Sequence, residues 1–219
     1  MALILNLETS TRNCSVSIAK DGELVALCEE SKESYEHAEK LHLFMKWALE
    51  AEGLKFSDLD AVCVGKGPGS YTGLRIGVSA AKGLCFALNI PLISLNSLEI
   101  IANSYSGEAD YVIPMTDARR KEVYTVTFNQ KKELITPTEA KILDENSFLD
   151  LKNKKVAFLG DGAKKASEIL TLTSCEFFPQ NLPSAKYMIE TSYQKFLNKE
   201  FEDIAYFEPF YLKDFVAGK

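Results

Sequence analysis

His37 and His42 are the only histidines in this chain of 219 residues. They fall in an apolar-periodic stretch that reads as a helix, five positions apart and so about 140° around its axis, whereas two ligands gripping one ion from a helix sit three or four apart. The cysteines, Cys14, Cys28, Cys63, Cys85 and Cys175, are odd in number and scattered without a C-x-x-C. That pattern gives neither a zinc ligand set nor a disulfide framework, and they read as small apolar residues in reduced surroundings. No metal is expected. Ser70 and Tyr71 bring hydroxyls to the most glycine-dense part of the chain, but no histidine is placed by sequence to activate either, which argues against a peptidase.

Anion chemistry is the other candidate. DAVCVGKG (60–67) and KVAFLGDG (155–162) each run an apolar strand into Gly-x-Gly ahead of a helix, an arrangement that can present backbone N–H groups to a phosphate. Gly65 and Gly67 in one half, Gly160 and Gly162 in the other, with Glu8, Ser10 and Thr11 of the turn ETST, are therefore candidate remnants of phosphate loops. Tight strand-to-helix turns need glycine for their own sake, which is the competing explanation. An autonomous ATP-dependent kinase or ATPase would need a glycine-rich adenosine pocket as well, and beyond residue 110 only Gly160, Gly162 and Gly218 remain. No cofactor is expected, and at most weak residual nucleotide binding.

The elements that must position these residues occur twice. LILNL, the turn ETSTRN and CSVSIAKDGELV read as strand, turn, strand, Asp-Gly hairpin and strand; YVIPM, TDARRKE, VYTVTF, NQKK and ELI repeat the pattern from residue 111. Glu23-Leu24-Val25 and Glu133-Leu134-Ile135 lie 110 positions apart, which suggests duplication. Helices are expected over 34–53, 72–89 and 97–105, with PLISL (91–95) a buried strand, and in the second half over 144–152, 162–171 and 184–200. Strands alternating with helices after an antiparallel group predict an α/β fold with mixed sheets covered on their faces. The boundary is placed near Ser104–Asp110, giving lobes 1–106 and 107–219, the final segment packing back on the first lobe.

Two helices have surfaces beyond the needs of a core. In GKGPGSYTGLRIGVSAAKGL, Gly73, Gly77, Ala80 and Leu84 fall at helical spacing on one narrow face that another helix could approach closely. In SYEHAEKLHLFMKWALEAEG, apolar residues including Phe44 and Trp47 cover an arc of roughly 200°, wider than the stripe of about 100° that a surface helix needs. A partner surface of Phe44, Trp47, Gly73, Gly77, Ala80 and Leu84 is one reading; burial under the second lobe is the other.

Composition narrows the partners. With 46% hydrophobic and 26% charged residues the chain can bury an ordinary core, and its 25 basic against 31 acidic residues, net charge −6, do not favour direct contact with nucleic acid. The opening MALILNLETS has no basic leader and its apolar run ends at Glu8, so a cytoplasmic location without membrane attachment is expected.

GPGSYTGLRIG resembles the hallmark segment of the TsaB family, formerly also described as glycoprotease-like. ILNLETST is similar to that family's strand followed by Asp-Thr-Ser-Thr, DARRKEVY (117–124) to its Asp-Ala-Arg-Arg-Gly-Glu-Val-Tyr, and PFYLK to its Pro-x-Tyr-Leu-Arg. The departures are Glu8 where Asp is usual and Lys121 where Gly is usual. The resemblance implies the actin, Hsp70 and sugar-kinase fold, two ribonuclease-H-like lobes. It also implies a non-catalytic subunit that pairs through first-lobe helices with a catalytic TsaD-like paralogue, whose H-x-x-x-H metal motif this chain lacks. With a TsaE-like ATPase, that assembly transfers threonylcarbamoyl to tRNA, which this chain would meet only through the complex. A homodimer through the same surface is the alternative assembly for the isolated chain.

Overall fold

The computed structural model describes residues 1–32 and 36–213. They divide into two compact units, Met1–Ile100 joined by the chain from Ser184 onward, and Ile101–Pro183.

In the first unit β1 (Leu3–Glu8), β2 (Asn13–Lys20), β3 (Glu23–Ser31), β4 (Ala61–Gly67) and β5 (Leu92–Asn96) form one sheet in the order β3-β2-β1-β4-β5. β1 runs antiparallel to β2 and parallel to β4. Central and covered on both faces, it is buried at every position, which is why LILNL is continuous rather than alternating. The hairpin between β2 and β3 turns on Asp21 (φ 50°) and Gly22 (φ 85°), the pair of positive φ values that a two-residue turn between twisted strands requires.

α1 (His37–Glu50) and α2 (Tyr71–Leu88) cover one face of this sheet. Leu41, Phe44, Met45, Ala48 and Leu49 of α1 and Val78, Ala81 and Cys85 of α2 share a core with Leu5, Leu7, Val16 and Val62. Of the expected 34–53 helix the structure shows His37–Glu50, and Ser34 and Tyr35 lie outside the described residues. α2 begins where the Ser70 hydroxyl accepts from the Gly73 N–H at 3.3 Å and stops at Asn89 in the left-handed region, two ordinary caps.

The opposite face is closed from the other end of the chain. Ala185 and Met188, with Tyr187, Tyr193 and Phe196, pack on Ile4, Ala61, Cys63, Ile93 and Leu95; α5 (Ile189–Leu197) carries much of this cover. The division into 1–106 and 107–219 is corrected accordingly. Residues from Ser184 belong with the first unit because its sheet has an apolar face that nothing earlier covers, and the first boundary falls inside α3 (Ser97–Asn103) rather than at 104–110.

In the second unit β6 (Tyr111–Asp117), β7 (Glu122–Thr125), β9 (Glu139–Ile142), β10 (Val156–Leu159) and β11 (Cys175–Phe178) have the order β11-β10-β6-β7-β9, with the short β8 (Phe128–Asn129) also on β6. Read in chain order this is the first sheet again: an antiparallel trio led by β6, then β10 and β11 parallel to it. The fold is thus of the expected α/β class, with one mixed-sheet topology occurring twice. The repeat does not run in the expected register, however. The third strand is Glu139–Ile142 and not ELI (133–135), whose Leu134 makes an isolated antiparallel bridge to Phe128 across the NQKK turn, with Ile135 N–H donating to Thr127 O. Over 144–152 there is only a 3-10 turn at Leu149–Leu151. α4 (Gly162–Ile169) forms as expected and packs Ala163 and Ala166 into a core with Ile113, Met115 and Phe158.

Candidate functional site

The turn between β1 and β2 is where the candidate phosphate-loop residues of the first unit meet. Glu8, Thr9 and Ser10 are fully buried. The Glu8 carboxylate accepts the Ser10 N–H at 2.5 Å and the Ser97 hydroxyl at 3.4 Å, while Gly67 N–H donates to the same hydroxyl at 3.1 Å. A Cβ on Gly65 would run into that carboxylate. The Glu8 carboxyl group thus fills this turn from within. Among the described residues no cation is paired with it, and burial pushes its pKa up against the hydrogen bonds from Ser10, Ser97 and Thr9.

The rest of the turn is gripped by the helices. Thr9 Oγ1 donates to Gly73 O at 2.8 Å, Ser70 N–H donates to Ser10 O at 2.6 Å, and His37 Nε2 lies 2.6 Å from Thr11 O. Thr11 Oγ1 accepts from the Asn13 N–H at 3.3 Å. Burial lowers the His37 pKa, so it holds a backbone carbonyl as a neutral ring, while His42 lies on the exposed side of the same helix. Among the described residues no cluster of His, Cys, Asp or Glu could hold a metal ion. The cysteine thiols are all unbridged, and burial raises Cys14 to about 12 and Cys85 to about 11, which leaves no thiolate nucleophile at neutral pH.

The second Gly-x-Gly is likewise occupied by its own unit. Gly160 (φ 89°) lies against Met115 O and donates to Phe178 O at 3.1 Å, and Gly162 abuts Met115. Asp161 accepts the Asp117 N–H at 2.9 Å, and Asp117 pairs with Lys165 at 2.9 Å. Glycine is needed here to turn the strand into α4 at close range.

The expected partner surface separates into buried and open parts. Gly73 and Gly77 do not face outward: a Cβ on either would strike Thr9, its carbonyl oxygen from Gly73 and its hydroxyl from Gly77. Their role as a seat for a foreign helix is corrected to a seat for the turn after β1. Phe44 is buried and its ring lies 5.8 Å from that of Trp47, which is 51% exposed. Ala80 and Leu84 are half-buried at the edge of the same core. Between α1 and α2 a shallow, mostly apolar groove is lined by Ala38, His42, Tyr71, Arg75, Ile76 and Ala80.

Sequence reasoning missed the cluster at one end of this groove. Arg75 stacks over the Tyr71 ring, 4.1 Å from its centroid, and its Nε donates to Tyr211 Oη at 3.2 Å; its Nη2 bonds Tyr71 Oη. The rings of Tyr71 and Tyr211 are 4.9 Å apart. Tyr71 and Arg75 are four apart on one helix, a spacing that could have paired them, but nothing local placed Tyr211 beside them. It arrives because Phe210 N–H donates to Lys66 O at 2.7 Å and Lys82 holds Phe207 O at 2.8 Å.

A family model described as TsaD, tRNA N6-adenosine threonylcarbamoyltransferase, matches residues 31–218. The chain is 30% identical to the tRNA threonylcarbamoyladenosine biosynthesis protein TsaB of Haemophilus influenzae, over 99% of this chain and 95% of that one. It is 29% identical to the protein of the same name in Escherichia coli K12, over 99% and 96%. Among solved structures it is similar to YeaZ from Pseudomonas aeruginosa at a TM-score of 0.84 and 27% identity, over 97% of this chain and all of that one.

Proposed function

The chain belongs to the TsaB family of tRNA threonylcarbamoyladenosine biosynthesis proteins, and from that premise we propose that it is a non-catalytic, activating subunit that binds a TsaD-like catalytic paralogue. The observation that carries this reading is that the turn after β1 is consumed by its own chain. Its carboxyl group, the Ser10 and Thr11 carbonyls and the glycines opposite are engaged internally, so this turn is not laid open to cradle a transferring phosphate, as an autonomous kinase or ATPase of this fold would need. Metal-assisted chemistry is disfavoured by the donor set itself: His37 is committed to Thr11 O and His42 lies on the other side of α1.

What remains open is the α1/α2 face. Half-exposed Trp47 and Leu43 on α1, with Ala38 and Ala80 lining the groove, offer a large aromatic anchor on the same face as small residues, and such aromatic anchors dominate binding energy at interface centres. The transferase-type family model that matches this chain supports a partner of related fold presenting equivalent helices. The reading extends to a TsaE-like ATPase in the same assembly, to tRNA met only through the complex, to the cytoplasm as its location, and to a homodimer through the same face when the paralogue is absent. Among the described residues no helix is long and apolar enough to cross a membrane.

The test is pairing with the TsaD-like chain of the same genome. Ala80→Arg places a charge in the groove and Trp47→Ala removes the anchor; both variants are expected to keep native circular dichroism and to lose at least about tenfold in affinity. Wild-type affinity in both folded variants, or robust ATP turnover by the purified chain alone, sinks the assignment.

A further inference from the structure

Arg75 is held in place before any partner arrives. Its guanidinium is stacked on Tyr71 and bonded through Nε and Nη2 to two tyrosine hydroxyls, one from its own helix and one from the far end of the chain. Both hydroxyls act as acceptors, and among the described residues Arg75 takes part in no ion pair. Three of its five N–H donors are left beyond those two bonds. The lysines on the neighbouring elements are otherwise engaged, Lys40 with Glu30 and Glu36 and Lys82 with the carbonyls of Ala205 and Phe207. Among the described residues no acidic one lines the groove.

Resting on the pairing reading above, we propose that Arg75 is the charged anchor of the groove: it receives a side-chain carboxylate from a helix of the TsaD-like partner whose apolar face fills the space between α1 and α2. Charge and lining select this occupant. A fixed guanidinium fork matches a carboxylate bidentately, and a groove walled by Ala38, Ile76 and Ala80 takes an apolar helix face. An RNA phosphate would match the fork too, but it would want further cations, and the groove offers only His42 besides Arg75 in a chain of net charge −6. The two tyrosines have already removed the rotamer freedom of the long side chain, so its immobilisation costs little at binding. Covering the groove then desolvates the pair, which makes the carboxylate a condition of tight docking rather than an ornament of its rim.

The measurement is affinity of the full chain for its paralogue, by calorimetry, for Arg75→Gln, Arg75→Lys and Arg75→Glu. Expected are losses of roughly thirtyfold or more for Arg75→Gln, more for Arg75→Glu, and only partial recovery with Arg75→Lys, which keeps the charge but not the fork. Replacing one Asp or Glu on the paralogue's pairing helices by Arg should restore binding to the Arg75→Glu chain. If Arg75→Glu pairs at wild-type affinity while Ala80→Arg does not, this anchor is wrong and the pairing surface stands; if both pair normally, the pairing surface itself falls. If the Arg75 variants pair normally and the assembled complex loses tRNA affinity instead, the guanidinium serves phosphate and the proposal is overturned.

Discussion

At the scale of single residues, Glu8 is the side chain whose chemistry the fold has altered most. Its carboxylate is fully buried, is paired with no cation among the described residues, and burial raises its pKa. The folded state therefore keeps a proton that the unfolded chain has already released, and stability falls as pH rises from the ordinary carboxylate range through the raised folded pKa. Glu8→Gln removes that loss. Its amide oxygen can accept from Ser10 N–H, and the Ser97 hydroxyl can rotate to accept from the amide. The variant should melt higher than the parent at about pH 8 and the gap should close towards about pH 4; thermal melts across that range decide it, and a gap independent of pH would mean that Glu8 stays charged. The other departure from the family pattern, Lys121 in place of glycine, costs no backbone strain: the positive φ values of its turn belong to Arg119 and Arg120.

At the scale of elements, α2 shows how one sequence feature can have two uses along a single helix. Gly73 and Gly77 lie where the turn after β1 presses against the helix, with Thr9 O and Thr9 Oγ1 in the space a methyl would take, whereas around Gly83 nothing lies within 4 Å of such a methyl. Gly73→Ala should cost about 1–3 kcal/mol, because a backbone oxygen cannot move without shifting the turn. Gly83→Ala should gain about 0.4–1 kcal/mol by restricting the unfolded chain. Urea midpoints of the two variants test this directly, and equal shifts would mean that the packing of Thr9 on α2 is looser than described. The glycine spacing was plain in the sequence. Which glycines face inward was not, since helical periodicity gives a face and not the identity of what packs on it.

For the whole molecule, the return of the chain at Ser184 is the decisive feature. Ser184 and the Ala185 N–H bond Ser15 in β2, Ala185 O accepts from Ser17, and Ala185 and Met188 are buried on Ile4 and Ile93. Ending the chain at Pro183 would bare that face of the first sheet, so the truncated protein should aggregate or unfold without a cooperative transition. A cooperative melt at the full-length midpoint would show that the first unit folds without its returning segment. The same return carries Tyr211 to Arg75, so loss of the last described residues should also weaken the anchor proposed for the groove.

The amino-acid sequence by itself determined the opening strands of the first sheet, because a central strand buried on both faces must be apolar throughout, as LILNL is, and the Asp21-Gly22 turn requires residues that accept positive φ. It determined the doubling of the sheet, the absence of a histidine pair at ligand spacing, and the family, whose motifs lie in contiguous runs. Only the tertiary structure decided that Glu8 fills its own turn, that Gly73 and Gly77 seat Thr9, that Trp47 stays half-exposed while Phe44 is buried, and that residues after 183 complete the first unit. Local propensity and periodicity act over a few residues, whereas each of those outcomes depends on which distant segment reaches a given face first. That is fixed by the competition among apolar surfaces for cover, a property of the folded chain and not of any stretch of it.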